Sequence, residues 1–439
     1  MKRYRYHALA LMGLTALAVS LAAVAAGGTA SSPSAAPKVT AGAPGSVSVI
    51  SEATGPEQKS FQAVLARFQQ KTKIKVKYTS AGRQLVTILS TAVQGGNPPD
   101  VALLPQPGLM RDFANRKALK PITFLRGTIV RDWSPGWLQL GTVNKTLYGL
   151  YYKGANKSTV WYNVGAFREA GVQPPKTFPQ LLQVASTLRA SGTAPFSIGG
   201  ADGWTLTDLF ENIYLRQAGG KKYDQLAAHT IKWTDPSVKA ALRTMGQILQ
   251  ANNVAGGTQG AVQTDFATSV TQAFSEEPKA AMVIEADFVA GVITGSTKAK
   301  PRTDFNVFSF PSIKGSPPSV VGGGDAVVMF KDTPASRALL RYLATPEAAE
   351  IWARRGGFSS PNKRVKASVY SDALTRQTAS ELAKAKVFRF DLSDLQPSAF
   401  GGTVGQGLFK LFQDFLKNPN NVDGIARQME TAAARAYKK

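Results

Sequence analysis

The chain has 439 residues, about three times the usual size of one domain, which excludes a single small module. Its composition, with 44% hydrophobic and 18% charged residues, excludes a disordered chain. It has no cysteine and two histidines, His7 and His229, so disulfides, thiolate metal sites, cysteine nucleophiles and multi-histidine metal centres are excluded. Its 52 basic and 28 acidic residues give a net charge of +24, which is compatible with a polyanionic partner.

The N-terminus predicts export. Lys2, Arg3 and Arg5 precede an apolar stretch over residues 8–26, which ends in small residues that suit a signal peptidase. We therefore predict a signal peptide over residues 1–26, with an uncleaved membrane anchor as the alternative. Residues 27–46 are rich in Ala, Ser, Pro and Gly and predict a flexible linker. Because a lipid on cysteine is excluded, the mature protein is expected to be extracellular or held at the cell surface by other means.

Strands and helices alternate from residue 47 onward. Residues 47–50 predict a short buried strand, and Gly55-Pro56 begins a helix. The apolar residues of that helix recur at helical spacing: Phe61, Val64, Leu65 and Phe68. A strand over 74–78, a helix over 85–93 and an apolar strand over 100–104 follow. This order predicts a mostly parallel α/β sheet.

A second α/β region is predicted from about residue 162. Its elements are helices over 178–190, 205–217 and 236–249, strands over 280–284 and 305–310, helices beginning at Pro334 and Pro346, and final helices over 407–437. Thr333 and Thr345 precede the two prolines and are typical N-caps.

Several segments then show a family resemblance in their order and spacing. They are residues 68–76 (FQQKTKIKV), 96–101 (GNPPDV), 147–150 (LYGL), 161–163 (WYN), 170–178 (AGVQPPKTF), 281–288 (AMVIEADF), 346–352 (PEAAEIW) and 390–394 (FDLSD). Together they resemble the bacterial ABC-transporter extracellular solute-binding proteins of the carbohydrate type, across residues 47–437. The last segment is similar to members for α-glucosides or oligosaccharides.

The resemblance implies a two-lobed α/β fold of the type II periplasmic-binding-protein kind, with a ligand cleft between lobes that are joined by crossing strands. Lobe 1 would comprise residues 47–157 plus 311–357, and lobe 2 residues 158–310 plus 358–439. The implied function is capture of a sugar or oligosaccharide, of the α-glucoside class, and its delivery to an ABC permease. The resemblance implies a monomer that is not an enzyme and has no cofactor, metal or nucleic-acid partner.

Candidate ligand-binding residues follow the predicted strands or begin the predicted helices, where a cleft would lie. A sugar is bound through polar side chains on its hydroxyls and aromatic rings on its C–H faces. The polar candidates are Glu52, Gln106, Asn156, Asp202, Asp208, Glu285, Asp287, Asp325, Arg355, Asp391 and Asp394. Trp204 and Phe288 are the stacking candidates, and Gly323 would let backbone approach the ligand. A purely structural role stays open for each of them.

Two other functions remain open at this point. The positive charge favours a binder of an acidic or phosphorylated ligand, or of a cell-wall polyanion. A glycan-active enzyme would need two carboxylates roughly 5 to 10 Å apart, and Glu285 with Asp287 or Asp391 with Asp394 are the available pairs. The sequence contains no nucleophile elbow, phosphate-binding loop or zinc-protease motif. We therefore predict binding without catalysis.

Overall fold

The structure is a computed structural model that describes residues 45–438. The predicted signal peptide and residues 27–44 of the predicted linker lie outside the described residues. Within the described range, no helix is both long enough and apolar enough to span a bilayer.

The described residues form twelve strands. They are β1 (Ser46–Ser51), β2 (Lys75–Ser80), β3 (Val101–Leu104), β4 (Thr142–Val143), β5 (Thr146–Leu147), β6 (Gly149–Asn156), β7 (Thr159–Asn163), β8 (Ala194–Phe196), β9 (Ala280–Ile284), β10 (Phe305–Ser309), β11 (Ser319–Met329) and β12 (Val387–Phe390).

The same residues form nineteen α-helices. They are α1 (Gly55–Thr72), α2 (Leu85–Gln94), α3 (Pro107–Asn115), α4 (Arg126–Asp132), α5 (Pro135–Leu140), α6 (Val164–Glu169), α7 (Phe178–Ala190), α8 (Trp204–Ala227), α9 (Pro236–Ile248), α10 (Gly257–Gln263), α11 (Phe266–Phe274), α12 (Val289–Ser296), α13 (Pro334–Leu343), α14 (Pro346–Ala353), α15 (Ala373–Lys384), α16 (Leu392–Leu395), α17 (Ser398–Gly401), α18 (Gly407–Lys417) and α19 (Val422–Tyr437).

Six strands form the first sheet, in the order β12-β11-β3-β1-β2, with β6 paired to β11. β1 runs parallel to β2 and β3, as the alternation of elements predicts. β11 runs antiparallel to β3 and β6, so the complete sheet is mixed. β3 is central and wholly buried, whereas Lys75 and Lys77 of the edge strand β2 are exposed.

Helix α1 confirms the helix that the spacing of the apolar residues predicts. It has a proline in its first turn, and Phe61, Val64, Leu65 and Phe68 are buried. Phe61 packs against Trp352 with 5.8 Å between ring centres, so α1 covers the first sheet together with α14. This packing places the start of α1 next to the end of β1.

Four strands form the second sheet, in the order β10-β7-β9-β8. The predicted helix over 178–190 is α7, and the one over 205–217 is the first part of the longer helix α8. α8 is interrupted at Gly219, whose φ of 78° favours glycine. Phe210 of α8 packs against Trp233 and Phe412 within the core of this region.

The two sheets are the centres of two lobes, so the predicted two-lobed α/β fold is confirmed. The chain passes from the first sheet to the second between β6 and β7, and returns between β10 and β11. β12 pairs in parallel with β11 of the first sheet, although it follows residue 358 in sequence. The boundaries given above for the two lobes stay predictions.

Candidate functional site

Two buried lysines lie where the chain leaves the first sheet. Lys153 is in β6 and Lys157 directly follows β6, and their side chains are 8% and 10% exposed. Nine of the 28 acidic residues are near enough to interact electrostatically with one or both lysines: Glu52, Glu57, Asp208, Glu211, Glu285, Asp287, Asp325, Asp391 and Asp394. The junction of the lobes is therefore rich in carboxyl groups, although the chain as a whole is basic.

Lys157 supplies the ammonium group of a buried cluster of carboxyls. Its Nζ donates to Asp391 Oδ2 at 2.6 Å and to Asp208 Oδ1 at 3.1 Å, and it lies 3.9 Å from Asp394 Oδ2. Buried Glu211 and Glu285 complete what we call the Lys157 network: Lys157, Asp208, Glu211, Glu285, Asp391 and Asp394. It joins α8 of the second lobe to the segment that follows β12.

The protonation states in this network differ from one carboxyl to the next. Burial raises the pKa of Asp208, Glu211, Glu285 and Asp394 well above the usual values, which favours their neutral forms. Burial also acts on Asp391, but the Lys157 ammonium and several hydrogen bonds outweigh it and lower the pKa of Asp391 to about 2. Asp391 and Lys157 therefore form the ion pair of the network.

Three carboxyls of the network have the spacing of metal ligands. Oxygens of Asp208, Glu211 and Asp391 lie within 4.8 Å of one another. However, the Lys157 ammonium bonds to two of these groups, and Glu211 accepts from the backbone amides of Leu392 and Ser393 at 2.7 and 2.9 Å. The Lys157 ammonium thus occupies the position that a metal cation would need, and the arrangement does not fit a metal site.

A second group of carboxyls surrounds Lys153, and one of its members has no hydrogen-bond donor among the described residues. Lys153 Nζ donates to Glu57 Oε1 at 2.5 Å and lies 4.0 Å from Asp325 Oδ2. Glu52, at the end of β1, is exposed, and no described residue donates a hydrogen bond to its carboxylate. We call Lys153, Glu52, Glu57 and Asp325 the Lys153 group.

Glu52 has a raised pKa although its side chain is exposed. Desolvation by the surrounding protein, together with the charge of Asp325, raises the pKa of Glu52 to about 8. Lys153 and Lys157 oppose this shift.

Three aromatic rings of the second lobe lie next to the two lysines. Trp204, which begins α8 and is half-buried, lies 5.0 Å from Phe266 and 6.0 Å from Phe288, measured between ring centres. Lys157 Nζ is 5.7 Å from the centre of the Trp204 ring, and Lys153 Nζ is 4.7 Å from that of Phe288. We call Trp204, Phe266 and Phe288 the aromatic face.

Asn156 and Asp287 lie in the packed crossing between the lobes. Asn156 is fully buried and donates to Thr378 O at 3.2 Å, and its backbone carbonyl accepts from Asp287 N at 3.0 Å. Asp287 accepts from Ser359 Oγ at 2.6 Å, and burial raises the pKa of Asp287 to about 6. These contacts stabilise the crossing.

The remaining candidates are held by local contacts. Gln106 donates from Nε2 to Gly402 O at 3.0 Å, and Asp202 accepts from the Phe266 amide at 2.6 Å. A Cβ on Gly323 would lie 2.6 Å from Lys157 Cε, so this glycine leaves room for the lysine. Exposed Arg355 donates from Nε to Ser60 Oγ at 3.2 Å.

A cavity of about 320 Å³ opens beside the Lys153 group, between the start of α1 and helix α12. We call it the α1–α12 cavity. Its lining residues are Pro56, Glu57, Lys59, Ser60, Gly291, Thr294, Gly295, Trp352, Arg355, Gly356 and Gly357. The cavity therefore lies between elements of both lobes.

The family of the chain follows from comparison with known proteins. Residues 52–350 match the family described as bacterial extracellular solute-binding protein. The chain belongs to this family. It is 34% identical over 373 residues to the osmoprotective compounds-binding protein GgtB of Synechocystis sp., covering 82% of this chain and 87% of GgtB. It is 33% identical over 391 residues to the alpha-glucosides-binding periplasmic protein AglE of Rhizobium meliloti, covering 85% and 83%.

Solved structures confirm the fold of this solute-binding protein. The bacterial solute receptor AcbH superposes with a TM-score of 0.78 at 18% identity, covering 89% of this chain and 98% of AcbH. A chitin oligosaccharide binding protein superposes with a TM-score of 0.77 at 19% identity, covering the same shares. At identities of 18% and 19%, these superpositions show a shared fold and do not identify the ligand.

Sequence reasoning missed the two lysines of this solute-binding protein, together with Glu57 and Glu211. A signal was present, because Lys153 lies in a strand of eight wholly buried residues that has no other charged residue. A lysine is almost never fully buried without a partner. Such a lysine therefore indicates carboxylates from other segments, although it does not say which.

Proposed function

We propose that this protein captures a neutral sugar or short oligosaccharide between its lobes and delivers it to the permease of an ABC importer. The observation that carries the proposal is that carboxyls engage both buried lysines at the junction of the lobes, in a chain of net charge +24. Neither ammonium is therefore free to bind an anionic ligand, and the positive charge of the chain lies mostly outside the junction. This argues against an acidic or phosphorylated ligand.

The ligand contacts that we propose lie in the Lys153 group and on the aromatic face. Glu52 has an exposed carboxyl without a hydrogen-bond donor among the described residues, and Asp325 is close to it. Each can bond to a sugar hydroxyl. Half-buried Trp204, with Phe288 beside it, offers a ring to the C–H face of a sugar. Lys153 joins the two sets, because its Nζ lies 4.7 Å from the ring centre of Phe288.

The name of one of the two relatives supports a carbohydrate. AglE is described as binding alpha-glucosides and GgtB as binding osmoprotective compounds. An α-glucoside fits an uncharged, hydroxyl-rich ligand class. We propose that class for this chain.

One member of each carboxyl pair that an enzyme would need is engaged in a structural contact. Asp391 pairs with Lys157 and accepts from the Asp394 amide at 2.9 Å, and Asp287 accepts from Ser359. These contacts support capture without catalysis, in which the lobes close on the ligand and reopen at the permease. We further propose that the protein is exported, remains extracellular or at the cell surface, and works as a monomer.

A titration of the purified protein tests the proposal. Maltose, trehalose, other neutral saccharides and the corresponding sugar phosphates would be titrated at low salt and at about 0.3 M salt. We expect at least one neutral saccharide to bind with an affinity that salt leaves unchanged, and its phosphate to bind about tenfold more weakly or worse. Binding of the phosphates alone, weakened by salt, would show that the ligand is anionic.

A further inference from the structure

The positive charge of the chain is concentrated in three of its segments. Twelve lysines and arginines, but two acidic residues, fall in residues 116–146, 331–345 and 359–371. The two acidic residues are Asp132 and Asp332. Twelve minus two gives these segments a net charge of +10, a large part of the +24 of the whole chain. They supply helices α4 and α13 and the loops next to them.

Hydrogen bonds join the three segments into one continuous surface. Lys120 N donates to Met329 O at 2.7 Å, which places the first segment against the start of the second. Asn362 Nδ2 donates to Ala344 O at 3.3 Å, which places the third segment against the end of the second. Charges that are far apart in sequence are therefore neighbours on the folded protein.

Both acidic residues of this surface are already paired with arginines. Arg131 donates two hydrogen bonds of 2.8 Å to Asp132, and that carboxylate also lies 3.6 Å from Arg364. Arg337 donates to the two oxygens of Asp332 at 2.5 and 2.6 Å. The two carboxylates neutralise two of the twelve cations, so the surface keeps a large positive charge.

Other cations of this surface are available to a partner. Among the described residues, no carboxylate forms an ion pair with Lys120, Arg126 or Arg341. Arg341 and Arg337, one turn apart on α13, each lie 4.9 Å from the ring centre of Phe124. One ring thus holds two guanidiniums that would otherwise repel each other, and guanidiniums bind phosphate oxygens in pairs. The basic face, as we call it, consists of six residues: Lys120, Arg126, Arg131, Arg337, Arg341 and Arg364.

An exposed apolar side chain lies within the same surface. Val130 of α4 is 57% exposed and is the one large hydrophobic residue in the described range that is exposed. It lies one helical turn from Arg126, so the two side chains are neighbours. A soluble phosphate polymer has no apolar part for such a residue, whereas a bilayer has acyl chains directly below its phosphates. The combination favours a lipid surface.

We propose that the basic face, together with Val130, is a docking surface for an anionic lipid bilayer. The guanidiniums and the ammonium bind lipid phosphates, and Val130 enters the headgroup region. None of these residues belongs to the Lys153 group, the Lys157 network, the aromatic face or the lining of the α1–α12 cavity. The inference therefore goes beyond the proposed function and does not depend on the identity of the ligand.

Sedimentation with lipid vesicles tests the proposal. The purified protein would be mixed, at about 0.1 M salt, with phosphatidylcholine vesicles or with vesicles that contain about 30% phosphatidylglycerol. Neutral vesicles report any binding through the apolar N-terminal residues, so the quantity compared is the preference for anionic over neutral vesicles. We expect a preference of about tenfold or more for the wild type, and its loss at about 0.5 M salt.

Two matched double variants locate the docking surface. Arg126→Gln with Arg341→Gln removes two cations of the basic face, so the preference should fall to about twofold or less. Arg427→Gln with Arg435→Gln removes two arginines from exposed positions of α19, and it should keep the preference of the wild type within about twofold. No preference in the wild type, or an equal loss in the two double variants, would overturn the proposal.

A substitution at Val130 distinguishes a bilayer from a soluble phosphate polymer. Because tryptophan favours the membrane interface, Val130→Trp should bind anionic vesicles about fivefold more tightly or better and bind inorganic polyphosphate as the wild type does. Gln428→Trp adds the same ring to an exposed position of α19 and should change neither. If Val130→Trp binds vesicles no more tightly than the wild type does, residue 130 does not contact lipid and the bilayer is refuted as the partner.

Discussion

Lys153 and Lys157 lie four residues apart on one crossing segment, yet their surroundings differ. Lys157 bonds to Asp391 and Asp208, and the acids around it are buried, with Asp208 Oδ2 and Glu285 Oε1 lacking a hydrogen-bond partner among the described residues. Lys153 bonds to Glu57, while Glu52 beside it faces water without a hydrogen-bond donor among the described residues. A buried ion pair stabilises a particular packing, whereas an exposed carboxyl without a hydrogen-bond donor is free to bind a ligand.

The contrast assigns different roles to the two regions. The Lys157 network links α8 to the segment after β12, so we expect its loss to reduce stability before it affects ligand binding. The Lys153 group and the aromatic face should affect ligand binding first. Each prediction below separates the two regions.

The largest expected effect is the loss of stability in Lys157→Met. The substitution keeps much of the side-chain volume but leaves Asp391 and its neighbours without their cation in a buried place. We expect the free energy of unfolding to fall by about 3 to 5 kcal/mol, measured by urea denaturation.

The control for that variant is Lys298→Met. Lys298 pairs with Glu276 at 2.7 Å, but their side chains are 86% and 75% exposed. We expect a change within about 0.5 kcal/mol. If both variants lost similar stability, the Lys157 network would not be the structural element that we describe.

An intermediate effect is expected for ligand affinity in Trp204→Ala. Removal of the half-buried ring takes away the proposed stacking surface, so the dissociation constant for the bound saccharide should rise about 10- to 100-fold by calorimetric titration. Phe308→Ala is the matched control, because Phe308 is a half-buried ring on β10 that packs against Tyr162. Equal losses of affinity in both variants would remove the aromatic face from the site.

The smallest effect is a pH-dependent change of stability in Glu52→Gln. The folded protein holds the pKa of Glu52 near 8, against 4.5 as the usual value, so unfolding releases a proton between these values. The stability of the wild type therefore falls relative to the variant as pH rises from about 4.5 to 8, and the difference is constant above pH 8. After allowance for solvent screening, we expect the variant to be more stable at pH 8 by on the order of 1 kcal/mol.

The matching control is Glu277→Gln, at an exposed position of the loop before β9. Melting temperatures of both variants and the wild type at pH 5, 6.5 and 8 would reveal the difference. No pH-dependent gain for Glu52→Gln beyond that of Glu277→Gln would mean that Glu52 faces bulk water.

Local patterns predicted much of the fold, since they depend on spacing within one element. Phe61, Val64, Leu65 and Phe68 identified the buried face of α1, and Thr333 with Pro334 identified the start of α13. The antiparallel course of β11 was not predicted. It depends on pairing with β3 and β6, which are far away in sequence.

The site was predicted only in part for the same reason. Glu52 and Trp204 could be named because they stand at the end of a strand and the start of a helix, and Asp325 because it follows three glycines that would let the backbone approach a ligand. Their convergence on Lys153 and Lys157 depends on segments that lie up to about 240 residues apart in the chain, such as Lys157 and Asp391. No spacing rule within one element reports such a contact, so the lysines that organise the site were missed.

The most direct test of the account is a crystal structure of the protein with the neutral saccharide that binds most tightly in the titration. We predict a sugar ring against Trp204, with a hydroxyl of the ligand within hydrogen-bonding distance of Glu52, and an unchanged Lys157 network. A ligand bound to the carboxyls of the Lys157 network, or one away from the junction of the lobes, would contradict the division of roles between the two lysines.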